Sequence, residues 1–461
     1  MDAMMAMQLS EAARALDGRY SPVDVAFRGV STDSRTLEAG SLFFALQGPN
    51  FDGHEYLAEA RQRGASAAAV SRQCRSELPL LEVGDTRLAL GSLAGYWRSR
   101  FSLPVIAITG SNGKTTVRAM LKAILARCGQ TLSTQGNLNN DIGLPLTLAR
   151  LGHGDEFAVL EMGANHPGEI GYLAGIAKAD VGLVTNAGPA HLEGFGDVEG
   201  VARAKGELFA SLHKDAVAVI NADDEFAPLW RELAAHCRVV DFGLDSDAAV
   251  HADWSGDAHG SDVRLVTGQG EIDVHLSLPG RHNVMNALAA CAASMAAGAG
   301  PDAVRDGLAS VSAVPGRFNI HQLPGDVTLI DDTYNANPES LQVALDVLAQ
   351  AHGETWLVLG DMGELGAGES ALHRNAGHQA RAAGVSRLYT LGELSQQAIA
   401  TFNGKGRAFG MLDELLAALE NDMTSPLHIL VKGSRRMRME RVIEGLRAQQ
   451  LKRISSTGEG C

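Results

Sequence analysis

The stretch Val105-Ile-Ala-Ile-Thr-Gly-Ser-Asn-Gly-Lys-Thr-Thr-Val117 constrains this chain more than any other. Its first residues are apolar and rich in β-branched types, which predicts a short buried strand, and the amphipathic run through Cys128 predicts a helix. Between them, Gly110 and Gly113 permit a tight turn whose backbone N–H groups stay free to face phosphate oxygens. The positive end of the helix dipole stands behind that turn. Lys114 is placed for the β- and γ-phosphates of a nucleoside triphosphate and the Thr115 hydroxyl for Mg²⁺, with Ser111, Asn112 and Thr116 completing the cradle. The usual G-x-x-x-x-G-K-[ST] pattern is not met in full: Ile108 stands where its first glycine belongs, and the glycine arrives late, at Gly110. The competing reading is a Gly/Asn turn with a surface lysine; it requires the strand, turn and helix signals to coincide by accident.

A chain of 461 residues holds about three domains, and a 45% hydrophobic fraction fills their cores. The net charge of −15 weighs against nucleic acid or an anionic membrane surface as the main partner, while leaving room for a local basic pocket that holds phosphates. The five cysteines (Cys74, Cys128, Cys237, Cys291, Cys461) are scattered and form no C-x-x-C, so neither a zinc site nor a disulfide framework is expected. Met1–Leu9 lacks the basic and apolar regions of a signal peptide. The alanine-rich run Val284–Gly300 carries Asn286 and Ser294 and reads as a packed helix, not a membrane span. A soluble cytoplasmic protein is expected, with a polar tail frayed from Gln449 onward.

The expected fold class is α/β in three domains: a small N-terminal α/β domain over residues 1–103, a central P-loop domain with a parallel sheet over 104–314, and a C-terminal Rossmann-like domain over 315–461. In the first, a helix at Leu9–Leu16, a strand at Leu42–Leu46, a helix at His54–Arg63 and a strand at Ala67–Val70 are predicted. Two polar loops flank the first of these strands. Ser31, Thr32, Ser34 and Arg35 lie in one, and Gln47, Gly48, Asn50, Asp52, Gly53 and His54 in the other. Such loops suit a polar or phosphorylated ligand, and they equally suit ordinary turn chemistry. Central strands are predicted at Val105–Ile108, Phe157–Leu160, Val181–Val184, Ala216–Ile220 and Val239–Val240. A hairpin, Val263–Thr267 with Glu271–Leu278, is expected at the edge of that sheet. C-terminal strands are predicted at Val327–Ile330, Trp356–Leu359, Leu388–Leu391 and His428–Val431.

Ligands of open parallel sheets collect beyond the carboxyl ends of the strands. The residues found there are polar: Thr109-Gly110, Glu161, Thr185-Asn186, Asn221 to Asp224, Asp331 to Asn335, Gly360 to Glu364 and Lys432 to Ser434. Thr115, Glu161 and His191 are the candidate surroundings of Mg²⁺, the first two as hard oxygen donors. On pattern alone His191 reads first as a loop histidine and Lys205 as a solvated helix lysine, while Asn283 reads equally as a helix cap.

Taken together, these motifs resemble the Mur ligases, ATP-dependent amide-bond-forming enzymes of peptidoglycan precursor synthesis. The family's marks here are Thr109-Gly-Ser-Asn-Gly-Lys-Thr-Thr116, Gly280-Arg-His-Asn283 and Pro315-Gly-Arg-Phe318, and the late first glycine is the family's own form. Thr134-Gln-Gly-Asn-Leu-Asn-Asn140, Glu161-Met-Gly-Ala-Asn-His-Pro-Gly-Glu169 and Asp331-Asp-Thr-Tyr-Asn-Ala-Asn-Pro338 are similar to the branch that adds D-alanyl-D-alanine to UDP-N-acetylmuramoyl-tripeptide. No Asp-Asn-Pro-Arg is present, which weighs against the diaminopimelate- or lysine-adding branch. A non-ligase nucleotide-binding protein is the alternative from another class.

The resemblance implies that the N-terminal loops hold the UDP part of the substrate and that ATP is contacted by Lys114, Thr115, Asn283, Arg317 and Asp332, with Asn137 and the Tyr334–Asn337 segment. It implies metal support by Glu161 and His191, and a Lys205 that is carbamylated to an anion near a second Mg²⁺. Lys114, His191 and Lys205 are thereby the expected catalytic residues, in a monomer that closes about hinges near residues 103 and 314. The sequence names no general base and no residue that reads the incoming dipeptide.

Overall fold

The structure, a computed structural model, describes residues 5–257 and 260–457, with side chains as far as Gln449. The expectations for the first four residues, for Cys461 and for the last residues of the tail lie outside that range.

The central sheet has six parallel strands in the order Thr131–Ser133, Phe157–Glu161, Val105–Thr109, Val181–Val184, Val217–Asn221, Arg238–Phe242. Strand side chains alternate between faces. Val105 and Ala107 therefore enter one core and Ile106 and Ile108 another, and all four are fully buried. The second core holds Val117, Met120, Leu121 and Ile124 of the helix Lys114–Leu125, which packs against the alanine-rich helix Arg281–Ala296. Both faces being covered explains why these strands read as continuous apolar runs. Thr131–Ser133 escaped the sequence reading because Leu132 is its only apolar residue.

The hairpin forms, as Gly260–Thr267 with Gly270–Leu276, but not as an addition to the parallel sheet. It pairs with His251–Asp257 in a separate three-stranded antiparallel sheet. The partner strand Ala-Asp-Trp-Ser-Gly-Asp carries too few apolar residues to announce itself, being exposed over most of its length.

The N-terminal sheet runs Arg19–Tyr20, Leu80–Glu82, Ala67–Val70, Leu42–Phe44, Val30–Ser31, parallel apart from its first strand. The helix Thr86–Arg98, capped by Asp85, joins this unit to the central one. Its Leu90, Leu93 and Trp97 enter the same core as Val105 and Ala107. Gly91 lies against Tyr172 so closely that a Cβ would overlap the phenol oxygen, and Trp97 donates to Leu151 O at 2.9 Å. A hinge near residue 103 is therefore not what the packing provides: rotation there would tear a shared core.

The C-terminal sheet runs Asn319–Leu323, Val327–Asp332, Leu427–Lys432, Glu354–Gly360, Arg387–Leu391, Lys405–Phe409, antiparallel only at its first strand. The two edge strands, Asn-Ile-His-Gln-Leu and Lys-Gly-Arg-Ala-Phe, are too polar to have been read as strands. This unit has two cores of its own, one on each face. The expected fraying from Gln449 is not seen: one helix runs Glu440–Thr457. Val442, Ile443 and Leu446 anchor its first turns in the C-terminal core, and a nucleated helix propagates readily.

Candidate active site

The carboxyl ends of the central and C-terminal strands face a common cavity of about 1190 Å³. It is bordered by Ser111, Asn112, Gly113, Lys114, Thr116, Asn137, Glu161, His191, Lys205, Asn283, Arg317, Asp332, Tyr334 and Asn337. Gly110 and Thr115 sit immediately behind that lining. Gly110 has φ of +148° and its missing Cβ would overlap the Thr185 hydroxyl, so no side chain can stand there. Gly113, at φ +83°, begins the helix, and a Cβ on it would meet Asn286 Oδ1.

Lys114 Nζ bends back to the carbonyls of Gly110 (2.5 Å) and Ser111 (3.3 Å). Burial pushes its ammonium down to about 8, against the pull of Glu161. Thr115 Oγ1 stands 3.4 Å from Glu161 Oε1, which also accepts from Asn139 Nδ2 at 3.0 Å. Glu161 is 2% exposed, and its Oε2 has no hydrogen-bond partner, only the Arg118 guanidinium at 3.5 Å. A hydroxyl beside a buried carboxylate with a spare oxygen is a donor set for a hard cation.

Lys205, on the helix Val198–Ala210, is 2% exposed and not the solvated lysine its pattern suggested. Its Nζ lies 6.0 Å from the Phe195 ring centroid. Desolvation, and then the Lys114 charge, push its pKa well below the ordinary lysine value, and no carboxylate among the described residues opposes them. His191 has φ of +55°, and its Nδ1 meets Glu364 Oε2 at 2.5 Å, linking the central unit to the C-terminal one. That contact holds the Glu364 carboxyl below its usual range.

Across the cavity, Arg317 lies with its guanidinium 4.2 Å from the Tyr334 ring centroid and donates to Thr115 Oγ1 at 3.3 Å. Asp332 accepts from Lys432 Nζ, a 2% exposed lysine that also donates to Asn335 O. Asn283 does not cap its helix; its Nδ2 reaches back to Pro279 O at 2.8 Å. Asn337 caps the helix Pro338–Leu348, and its Nδ2 also donates to Asn112 Oδ1 at 3.0 Å. The first turn of that helix supplies Glu339, which accepts from Asn112 Nδ2 at 2.8 Å. Burial, and then the Asp224 charge, raise the Glu339 pKa.

Family comparisons agree along the chain. The Mur ligase family, catalytic domain, matches residues 26–96, the Mur ligase middle domain matches 108–294, and the Mur ligase, glutamate ligase domain matches 316–435. UDP-N-acetylmuramoyl-tripeptide–D-alanyl-D-alanine ligase of Escherichia coli (strain K12) is 44% identical over 450 residues, covering 96% of this chain and 99% of that one.

This chain belongs to the Mur ligase family.

Among solved structures, MurF from Acinetobacter baumannii superposes with a TM-score of 0.92 at 36% identity, covering 96% of this chain and 99% of that one. MurF ligase from Thermotoga maritima in complex with ADP superposes with a TM-score of 0.83 at 29% identity, covering 92% and 98%. The likeness to both supports a three-domain Mur ligase fold.

The N-terminal loops of this Mur ligase stand apart from the central cavity; none of their ten expected substrate residues borders it. Ser31 ends one parallel strand and Thr32, Ser34 and Arg35 follow it, while Gln47, Gly48, Asn50, Asp52, Gly53 and His54 follow the next, so both loops share a sheet edge. Asp52 there accepts from His54 Nδ1 (2.5 Å) and pairs with Arg72 (2.8 Å), while His54 Nε2 accepts from Ser71 N–H. Asp33 holds Arg35 at 2.7 Å and is thereby drawn down to about 2. Gln47–Gly48 pairs with Phe51–Asp52 in a two-stranded hairpin turning at Asn50.

His282, Glu339, Arg435 and Arg436 line the cavity and Arg118 reaches Glu161, although none of the five is among the expected site residues. Arg118 and Glu339 sit on helices as ordinary surface-type charges, and nothing in their local pattern distinguishes them. Arg435 and Arg436 directly follow Lys432-Gly-Ser434, so continuing past that strand end would have found them. His282 belongs to the Gly280–Asn283 motif, and burial lowers it to about 4.

Proposed function

We propose that this chain is an ATP-dependent ligase that joins D-alanyl-D-alanine to UDP-N-acetylmuramoyl-tripeptide through an acyl phosphate, acting as a cytoplasmic monomer with Mg²⁺. The full-length likeness to ligases of that name carries the proposal. The geometry supports it: a phosphate loop, a buried carboxylate and a second buried lysine share one cavity with the C-terminal unit. Among the described residues no helix is long and apolar enough to cross a membrane.

The chemistry begins with a poor electrophile. A carboxylate must become an acyl phosphate before an amine can displace oxygen from it. In this reading the loop amides and Lys114 hold the β- and γ-phosphates of ATP, and the tripeptide carboxylate attacks the γ-phosphorus. Negative charge builds on the transferring group, where Lys114 and the helix N-terminus are fixed to receive it. Thr115 and Glu161 would hold Mg²⁺, which supplies charge neutralisation at the phosphates, and His191 would support that region. Arg317, Asp332, Asn283, Asn137, Tyr334 and Asn337 would position the nucleotide. Lys205, buried and with its pKa lowered by desolvation, would supply the amine that adds to CO₂ with release of a proton; the resulting carbamate would give this wall a second carboxylate-like group. The dipeptide amine then attacks the acyl carbon and phosphate leaves. The N-terminal loops would hold the UDP end, away from the reacting atoms.

Incubation with ATP, Mg²⁺, UDP-N-acetylmuramoyl-tripeptide and D-alanyl-D-alanine, followed by ADP release and product mass, tests the reading. ADP release that does not depend on the dipeptide overturns it. Lys205→Ala is expected to lose activity that bicarbonate does not restore and a short carboxylic acid partly does; normal turnover removes Lys205 from the mechanism.

A further inference from the structure

One buried cation has no part in the chemistry described so far. Lys432 ends the strand Leu427–Lys432, which lies between Val327–Asp332 and Glu354–Gly360 in the C-terminal sheet. The parallel register sets it directly beside Asp332. Lys432 is 2% exposed, and its Nζ donates to Asp332 Oδ2 and, at 3.1 Å, to Asn335 O. It thereby ties both ends of the turn Asp332-Thr-Tyr-Asn335. A buried ion pair is a weak source of stability, because each ion first loses its water. Apolar residues would hold these strands as firmly, so stability does not account for the pair.

The turn itself has other fastenings. Thr333 Oγ1 donates to Asp331 Oδ1 at 2.6 Å, and Tyr334 N–H donates to Gly316 O at 3.0 Å. What Lys432 adds is the direction of the Asp332 carboxylate, whose other oxygen accepts from Phe318 N–H at 3.3 Å. Each oxygen keeps a further lone pair. Tyr334, in the middle of the turn, carries the Arg317 guanidinium over its ring, and Arg317 Nε has no hydrogen-bond partner. Asp332, Tyr334 and Arg317 all border the cavity.

The pair also settles the charge of this wall. A nucleoside triphosphate is strongly anionic, and a bare carboxylate facing it is repelled. Lys432 cancels the Asp332 charge and leaves its oxygens as acceptors. The His282 imidazole brings no compensating charge, since burial lowers it to about 4 and it is neutral at pH 7. We infer that Lys432 is a positioning residue for the nucleotide: it aims and neutralises Asp332 so that ATP meets an acceptor and not a net negative charge. This role rests on the ligase reading above, in which Asp332 and Arg317 contact ATP. Lys432 acts through Asp332 and the turn, and makes no contact with ATP itself.

The test measures the affinity of the full chain for MgATP by calorimetry. Lys432→Met is expected to weaken it about 30-fold, while Kd for UDP-N-acetylmuramoyl-tripeptide stays within about two-fold. Asp332→Asn is expected to weaken it about 10-fold. The double variant of Lys432→Met with Asp332→Asn is expected to lose no more than Asp332→Asn alone, because a neutral amide neither repels phosphate nor calls for a cation. Independent effects would multiply to about 300-fold, and that result overturns the inference. The double variant leaves no unpaired buried charge, so its comparison with Asp332→Asn serves if Lys432→Met does not fold. An Asp332→Asn variant with unaltered affinity also overturns the inference, since Lys432 would have nothing to position. So does a loss confined to KM for the dipeptide, which would make Lys432 a contact for that substrate. Failure of the unaltered protein to bind MgATP refutes the ligase reading instead, so the two failures are distinct.

Discussion

The two polar sheet edges of this chain are built on opposite plans. At the N-terminal edge the charged groups already satisfy one another: Asp33 with Arg35, and Asp52 with both His54 and Arg72. At the central edge they do not. Among the described residues Lys205 has no carboxylate to oppose its desolvation, Lys114 donates only to carbonyls, and Glu161 keeps an oxygen with no hydrogen bond, only the Arg118 guanidinium 3.5 Å away. A self-paired edge is stable by itself, and a ligand must compete with its internal bonds. An unpaired edge is destabilised until a ligand completes it, and that deficit becomes binding energy for phosphates and cations.

The sharpest way to break this contrast is Lys114→Met. It should lower kcat by about 10³-fold while leaving the melting temperature equal or higher, because the variant no longer desolvates an ammonium. A large fall in melting temperature would mean that Lys114 is structural. Lys205→Met should follow the same pattern with a loss of about 10²-fold, read by steady-state turnover beside a thermal melt. At the self-paired edge the pattern should reverse. Asp52→Ala is expected to destabilise by about 1–2 kcal/mol, since His54 and Arg72 lose their acceptor. It should raise KM for the UDP substrate about 10-fold with kcat held within about two-fold. A change confined to kcat would remove the distinction between the edges. The smallest effect concerns protons. With Lys114 at about 8 in the free enzyme, phosphate oxygens that stabilise its ammonium must raise that value. ATP binding at pH 8 should then take up about half a proton, and at pH 6 almost none, because the lysine is already charged there. Calorimetry in buffers of different ionisation heat measures this uptake; heats that do not vary with buffer at pH 8 exclude it.

The central sheet was legible because both its faces are buried, and continuous apolar runs survive reading without any alignment. Thr131–Ser133, His251–Asp257 and the polar C-terminal edge strands were not, since an edge strand needs few apolar residues to be stable. Within the site, the phosphate loop and Glu161 announced themselves by spacing from a strand end. Lys205 did not: its burial comes from how its helix lies over the sheet, with Trp230 and Leu233 packed close to Gly206, and no local pattern reports that. Glu339 and Arg118 were invisible for the same reason. The alternating positions of an amphipathic helix tell which side is buried, but not that a buried side borders a cavity. The absence of a hinge near residue 103 was equally hidden, because it depends on Gly91 admitting Tyr172 from a segment far along the chain.

The links between the phosphate loop's surroundings and the C-terminal unit are few and polar: Asn112 to Glu339, Asn112 to Asn337, Arg317 to Thr115, and His191 to Glu364. A swing of the C-terminal unit about its linker breaks them together. At about 1 kcal/mol each, and counting these links alone, they would leave an open form near one molecule in a thousand. Substrates too large to slip into the shut cleft would then meet a receptor a thousand times scarcer than the enzyme in the tube, and would bind more weakly than the finished contacts suggest. Loosening Asn112 or Glu339 would enlarge that receptive minority, trading a firmer grip for a faster catch.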